Sequence, residues 1–367
     1  MTMALEGVKV VELARYISGP YCGMLLADLG ADVVKIETPA GDPTRDEGPW
    51  IGDESLYFAQ MNRNKRGLTL DLRSDAGREQ LTALVRDADI LLENFRPGVI
   101  DAMGFGREAL AELNPRCITV SVSGFGQESV IRDRTAFDCI LQCLTGLAAI
   151  NGRPGDFPML TGAYIVDTVA ALIGTIGALA ALRQREATGV GQLVDVAMID
   201  SALTLLGPVV PVAAATGEEP ELVGNADRTS APADAYEARD GWVYIHAGPD
   251  AFFARMAKAM GRPELLENER YRDIVSRVEH RSEVDEAVGS WVAQRTVAEV
   301  EAELAEAGVP ASRVNSVVQA VQDAELEIPS RLVDVRGATG ATIPTLRSPV
   351  RLSDSPAELR HGVPVKG

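Results

Sequence analysis

Apolar positions along the first 200 residues follow two rhythms in alternation. Short runs rich in β-branched residues cover 8–13, 33–37, 90–93, 118–123 and 193–197. Stretches with helical spacing cover 21–29, 76–86, 107–113, 168–186 and 198–206. Gly30 closes the first helical stretch and Thr188-Gly189 closes the long apolar one, as C-terminal glycines do. The first three segments make a βαβ unit of about 30 residues. Repeated alternation of this kind predicts an α/β fold with a mostly parallel sheet covered by helices. Gly174 and Gly177 lie three apart on the long helix, which permits close backbone contact at some cost in helix propensity.

The rhythm changes after Gly207. Pro208, Pro211 and the polar run 217–220 read as a linker. A smaller module follows, with a strand over 242–246 and a helix over 251–260 stopped by Gly261 and Pro263. Two acidic amphipathic helices come next, over 283–294 and 297–307, and Thr296 with Glu299 has the spacing of a capping box. Gly308 and Pro310 end the second, and 311–314 reads as a short strand. From Leu332 onward Gly, Pro and Arg dominate, as in an extended linker and tail. The expected division is a large domain over 1–200, a linker over 201–226, a small α/β domain over 227–317, and a second linker returning to the large domain over 318–367.

Charge narrows the classes of function. The 367 residues carry 53 acidic and 35 basic side chains, a formal net charge of −18. A general nucleic-acid binder would present a basic face, so none is expected as partner. An anionic ligand would need a local basic patch set against the global field. Four cysteines are too few and too scattered for a disulfide framework. Cys139 and Cys143, at helical i,i+4 spacing, are expected as two buried thiols on one helix face. The N-terminus lacks the basic flank and apolar core of a secretory signal. The longest apolar stretch, 169–182, is shorter than the ~20 residues of a membrane span. The expectation is a soluble protein of the reducing cytoplasm with no membrane partner.

Candidate chemistry is sparse. His246, His280 and His361 are the three histidines, none with a partner at ligand spacing, and no HExxH, GxSxG or GxxxxGK[ST] occurs. No metal site is expected. The first βα turn, Ser18-Gly19-Pro20-Tyr21-Cys22-Gly23, departs from GxGxxG, so Glu37 as a ribose-binding acid has little support. Asp167, at the start of the long apolar helix, has two readings that can hold together. It is well suited to N-cap the helix. It is also a carboxylate which, at an ordinary pKa near ~3.9, needs no base to act as a nucleophile, with helix amides to stabilise an anion opposite. The basic strip Arg63-Asn64-Lys65-Arg66 through Arg73, with Arg96 nearby, is either a solvated face or a place where a polyphosphate docks.

Several motifs, in this order, carry a family resemblance. They are Gly19-Pro20, the run LGADVVKIE over 29–37, Asn64-Lys65-Arg66, Glu93-Asn94-Phe95-Arg96-Pro97-Gly98, Met103-Gly104-Phe105, and Thr188-Gly189-Val190-Gly191-Gln192 ahead of Ala197-Met198-Ile199-Asp200. Across nearly the whole chain the sequence resembles the family III CoA-transferases, which include formyl-CoA, carnitine and succinyl-CoA transferases. The resemblance implies an interlocked homodimer of ring-like subunits, each with a large Rossmann-like domain and a small domain joined by two linkers. It places Asp167 on the family's catalytic aspartate. It implies that Asp167 forms an aspartyl-acyl anhydride and then an aspartyl-CoA thioester, moving CoA from an acyl-CoA donor to a carboxylic acid acceptor. Coenzyme A is then a substrate, and no prosthetic group is implied. The family's CoA-binding stretches fall on Ile17, on Leu70, Asp71, Leu72 and Arg73, on Asn94, Phe95 and Arg96, and on Met103, with Arg73 the expected phosphate contact.

The sequence also departs from its relatives. Thr38 and Ala102 stand where formyl-CoA enzymes carry nucleotide-binding arginines, and the segment 225–232 lacks their Gly-rich loop, so a formyl-CoA/oxalate pair is disfavoured. Relatives continue into a further helix beyond the position of Gly367. Asp138 matches an acidic residue near the family's site, although a plain helix N-terminal acid reads the same way. Tyr164, Phe137 and the loop 230–233 are candidates for acceptor contacts. Within the fold, 2-methylacyl-CoA racemases pair the equivalent aspartate with a histidine for proton exchange, and Phe137 occupies that place. A non-catalytic CoA-binding protein is the other alternative: it would keep the basic strip and have no use for Asp167.

Overall fold

The computed structural model describes residues 2–366. The chain forms two compact units, one of Met1–Ala148, Leu160–Glu218 and Pro329–Gly367, the other of Ala149–Met159 and Glu219–Ile328.

The first unit is built on a six-stranded parallel sheet. Strands β1 (Lys9–Glu12), β2 (Asp32–Glu37), β3 (Arg66–Thr69), β4 (Ile90–Glu93), β5 (Ile118–Ser123) and β6 (Leu193–Ala197) lie in the order β3-β2-β1-β4-β5-β6. Val10 pairs with Val33 on one side and with Ile90 on the other. The order reverses between β1 and β4, and in such doubly wound sheets a crevice opens there, outside the carboxyl ends of the strands. β3 was hidden in the basic strip, where charged and polar residues mask its strand pattern.

Helices α1 (Ser18–Asp28), α2 (Leu56–Asn62), α3 (Asp75–Arg86), α4 (Arg107–Leu113), α5 (Asp138–Leu144), α6 (Ile165–Thr188), α7 (Met198–Leu205) and α8 (Val209–Thr216) complete the unit. α1 starts earlier than expected, because Pro20 falls in its first turn, where a missing N–H costs nothing. Val11, Val34, Ile36 and Leu91 of the sheet pack with Leu81 and Val85 of α3 and Leu110 of α4.

Three expectations need correction. The segment expected as a linker over 201–226 holds α8, with Pro211 again in a first turn. The expected tail holds an antiparallel hairpin, Leu332–Arg336 with Thr342–Leu346. Its Val335 and Ile343 bury against Phe58 and Ala59 of α2, together with Val363. Cys139 and Cys143 are exposed, since α5 turns Leu141 and Gln142 inward instead; Cys22 and Cys117 are the buried thiols.

α6 runs 24 residues, longer than its apolar centre suggested, and by length and apolarity it meets the requirement for a membrane span. One face, including Ala170, Ala171, Gly174, Ala178 and Ala181, is buried within the unit. A Cβ on Gly177 would come 2.4 Å from the Val194 Cγ1, and one on Gly174 would rest 3.4 Å from the Cys22 Sγ. The two glycines therefore seat the helix against β6 and α1.

The second unit has an antiparallel sheet of β7 (Ala233–Ala238), β8 (Gly241–His246) and β9 (Ala311–Arg313), with β8 central. Helices α9 (Asp250–Ala259), α10 (Arg281–Val292) and α11 (Val297–Glu306) pack on it through Phe253, Met256, Val288, Trp291, Val300 and Leu304. The capping box of Thr296 and Glu299 is formed at the start of α11.

Candidate active site

The segments leaving β1, β3 and β4 meet at the carboxyl edge of the first unit's sheet, and the residues expected to contact CoA lie on them. Ile17 follows β1 and is buried at the start of α1. Leu70 to Arg73 follow β3. Leu70 is buried in the core, and Leu72 packs half-buried beside Phe95 and Met103 on the same apolar cluster. Asp71 accepts the Arg73 amide at 3.0 Å, closing the turn into α3. Arg73 and Arg96 are exposed, as is Arg15, a cation that sequence reasoning passed over. Arg15 lies over the Phe95 ring at 5.7 Å, and Arg96 donates to the Thr135 hydroxyl at 2.8 Å.

Asn94 joins the two sides of the crevice. Its side-chain oxygen accepts the Arg15 N–H at 2.9 Å, and its amide donates to the Arg15 carbonyl at 2.7 Å. The same amide approaches the Ser18 hydroxyl at 3.4 Å. The packing leaves no room for a side chain at position 19, where a Cβ would come 2.2 Å from that of Ala14.

Ser18 leads to Asp167. Its hydroxyl and main-chain N–H face the Asp167 carboxylate and act on it as donors that favour its charged form. Asp167 is not the N-cap of α6: Tyr164 holds that position, and Asp167 sits in the first turn. The capping comes from another helix. Asp138, at the start of α5, accepts the Val166 and Asp167 amides on one oxygen at 2.7 and 3.1 Å. Its other oxygen accepts from Gln142, which also accepts the Thr161 amide at 3.0 Å. These helix amides are therefore engaged, and the expectation that they stabilise an anion facing Asp167 fails for Val166 and Asp167. Burial, then the neighbouring Asp138 charge, push the Asp167 carboxyl up to about 7, against the opposing Ser18 donors. An ordinary carboxylate pKa does not apply here.

Two aromatic pairs lie on the segments that lead to Ser18, Asp138 and Asp167, and Tyr57 feels the Asp167 charge. Tyr57 of α2 stacks on Tyr164 with centroids 5.9 Å apart, and Tyr16 meets Phe137 edge-on at 5.8 Å. Burial, followed by the nearby Tyr164 and Asp167, keeps the Tyr57 hydroxyl protonated well above its ordinary range. Tyr57 and Ser18 had no assigned role in the sequence reading. Ser18 lay inside the quoted first turn, whereas Tyr57 arrives only through tertiary packing.

Arg63 and Lys65 of the basic strip are neither on a solvated face nor free to dock a phosphate. Arg63 forms a buried two-pronged pair with Asp28 at 2.6 and 2.9 Å. Lys65 reaches Glu12 at 2.8 Å and the Pro20 carbonyl at 2.8 Å, and burial brings its amine down to about 8. Lys35 joins Glu12 to Asp42 at 3.3 and 2.9 Å. Arg66 pairs with Asp32 at the surface at 2.7 Å. Lys65, on the Pro20 carbonyl, and Lys35, on the Ala14 carbonyl at 2.8 Å, brace the βα turn that carries Ser18.

Comparison with known proteins identifies the family. The sequence model of CoA-transferase family III matches residues 5–367. The chain is 36% identical to succinyl-CoA–D-citramalate CoA-transferase of Chloroflexus aurantiacus, across 99% of this chain and 91% of that one. It is 37% identical to succinyl-CoA:mesaconate CoA-transferase of Haloarcula hispanica, across 96% and 91%. The crystal structure of a CaiB/BaiF family protein from Brucella suis matches with a TM-score of 0.87 at 34% identity, covering 100% of this chain and 97% of that chain. With a family match that runs nearly end to end, the chain belongs to the family III CoA-transferases.

Proposed function

We propose that this enzyme moves CoA between carboxylic acids by covalent catalysis on Asp167. The observation that carries the reading is the placement of a half-buried carboxylate, held by two Ser18 donors, at the crevice where the β1 and β4 segments meet. The Asp167 carboxylate attacks the thioester carbonyl of the acyl-CoA and expels CoA thiolate, leaving a mixed anhydride. The thiolate attacks the aspartyl carbonyl, releasing the donor acid and forming an aspartyl-CoA thioester. The acceptor carboxylate attacks that carbonyl and expels the thiolate. Attack of the thiolate on the acceptor acyl carbonyl completes the new acyl-CoA and returns Asp167. Each step exchanges one activated acyl for another, so positioning accounts for most of the rate. A raised pKa makes the ionised carboxylate a stronger nucleophile than a solvated one, while reducing the ionised fraction at neutral pH.

CoA binding is assigned to Ile17, Leu70, Asp71, Leu72, Arg73, Asn94, Phe95, Arg96 and Met103, with Arg73 and Arg96 the cations available for phosphates. Relatives named for succinyl-CoA make that thioester the first donor to assay, with C4 and C5 dicarboxylates as acceptors. The working form is proposed to be a homodimer in a reducing cytoplasm. Leu172, Ile176 and Leu179 form an exposed apolar stripe on α6, and Ile140 and Leu144 form another on α5. Such faces suit contact with a second copy.

The test is incubation with succinyl-CoA followed by hydroxylamine and mass spectrometry. A hydroxamate or CoA adduct on Asp167 is expected, and Asp167→Ala should exchange CoA at background rate. Undiminished exchange by that variant would overturn the proposal. Deuterium uptake at an acyl α-carbon without CoA exchange would point to racemase chemistry instead.

A further inference from the structure

We infer that Glu93 is a positioning residue for acyl-CoA, holding the Phe95–Arg96 main chain from beneath the sheet edge. The inference rests on the proposed placement of CoA and adds a residue outside that set. Glu93 ends β4 and is 1% exposed. One carboxylate oxygen accepts the Phe95 N–H at 2.7 Å, and the other accepts the Ser121 hydroxyl of β5. The Gln127 side-chain amide donates to that hydroxyl at 2.7 Å, and the Gln127 main-chain N–H donates to Asp195 of β6 at 2.9 Å. The brace therefore spans three strands and ends on the loop that presents Phe95 and Arg96.

A carboxylate is an expensive choice for this position. The rest of β4 is Ile-Leu-Leu, the donors that reach Glu93 are a neutral amide and a neutral hydroxyl, and the Asp101 and Asp195 charges act on it unfavourably. A buried acid in like-charged company stabilises a fold poorly compared with an apolar residue of similar volume. What it does supply is a fixed acceptor for one particular N–H. The adjacent side chain, Asn94, fixes the Arg15 main chain and reaches Ser18, the residue that holds Asp167. Two consecutive side chains thus set the two halves of the site: Asn94 the nucleophile's side, Glu93 the CoA side.

The experiment compares Glu93→Ala, Glu93→Gln and Ser121→Ala with the parent in steady-state kinetics on succinyl-CoA, calorimetric titration with CoA, and thermal melting. Glu93→Ala should raise KM and the CoA dissociation constant about tenfold while kcat changes less than about threefold, the size expected for one lost charge-assisted hydrogen bond. Glu93→Gln keeps an acceptor for the Phe95 N–H and should restore both constants to within about threefold of the parent. Ser121→Ala should shift them in the same direction by less, and it decides the matter if Glu93→Ala fails to fold. Parent-like CoA affinity in Glu93→Ala, or equal losses in the Ala and Gln variants, would overturn the inference. Arg96→Ala serves as the separate control. If it weakens CoA while Glu93→Ala does not, only the role of Glu93 falls; if neither matters, the proposed CoA site itself falls.

Discussion

A carboxyl group with a pKa near neutrality makes activity report directly on its own ionisation. For Asp167, raised to about 7, kcat/KM for acyl-CoA should climb tenfold per pH unit below that value and level off above it, as a pH–rate profile would show. Asp138→Asn removes the like charge while keeping an oxygen for the Val166 and Asp167 amides, so the acid limb should move to lower pH. Stability carries the opposite sign. Between about pH 4 and about pH 7 the folded chain keeps a proton that the unfolded chain has released, so this group's contribution falls as pH rises through that window. Asp167→Asn should therefore melt several degrees above the parent at about pH 8, and at the parent's temperature at about pH 4, by calorimetry. The residue type and its helix-start position were legible in the sequence. Its perturbation was not, because burial and the Asp138 charge, which raise it against the Ser18 donors, arise only when tertiary packing brings these groups together.

Among the elements, the strands at 90–93, 118–123 and 193–197 and the helix at 107–113 were readable from hydrophobic rhythm alone. α6 shows where rhythm stops being informative. Its two central glycines look equivalent along the chain, yet they face different neighbours. Gly177→Ala forces a Cβ into stiff Val194 and should cost ~1–3 kcal/mol in urea denaturation. Gly174→Ala meets ordinary contact distance at Cys22 and should be neutral or stabilising by up to ~1 kcal/mol. α5 likewise gave its i,i+4 thiol spacing in advance but not the direction in which that face points.

At the scale of the molecule, the buried ion pairs separate a brace from a binding patch. Arg63→Ala would leave Asp28 buried without its cation and should destabilise the fold by ~3–5 kcal/mol in urea denaturation. Asp28 also accepts from Asn64 at 3.0 Å. Asn64 in turn accepts the Arg360 and His361 amides at 2.8 and 3.1 Å, so the same substitution should loosen the C-terminal segment, seen as faster amide exchange over 358–363. The exposed α6 stripe gives the proposed dimer its test. Ile176→Glu should shift sedimentation towards monomer if that face seats a second copy.

Periodicity by itself determined the α/β class and most elements of the large unit, because burial on one face of a helix or strand leaves a local signature. The motifs determined the family, and they named the segments that gather at one edge of the sheet. Only the tertiary structure decided that Arg63 and Lys65 are internal counter-ions, since their carboxylate partners lie on α1 and β1, far away along the chain. It alone decided that Asp138 caps α6, that Ser18 holds Asp167, and that Glu93 lies beneath the loop carrying Phe95 and Arg96. The physical reason is common to all of these. Hydrophobic period is written in neighbouring residues, whereas the charge state and aim of a polar group depend on partners brought close only when the sheet closes over its helices.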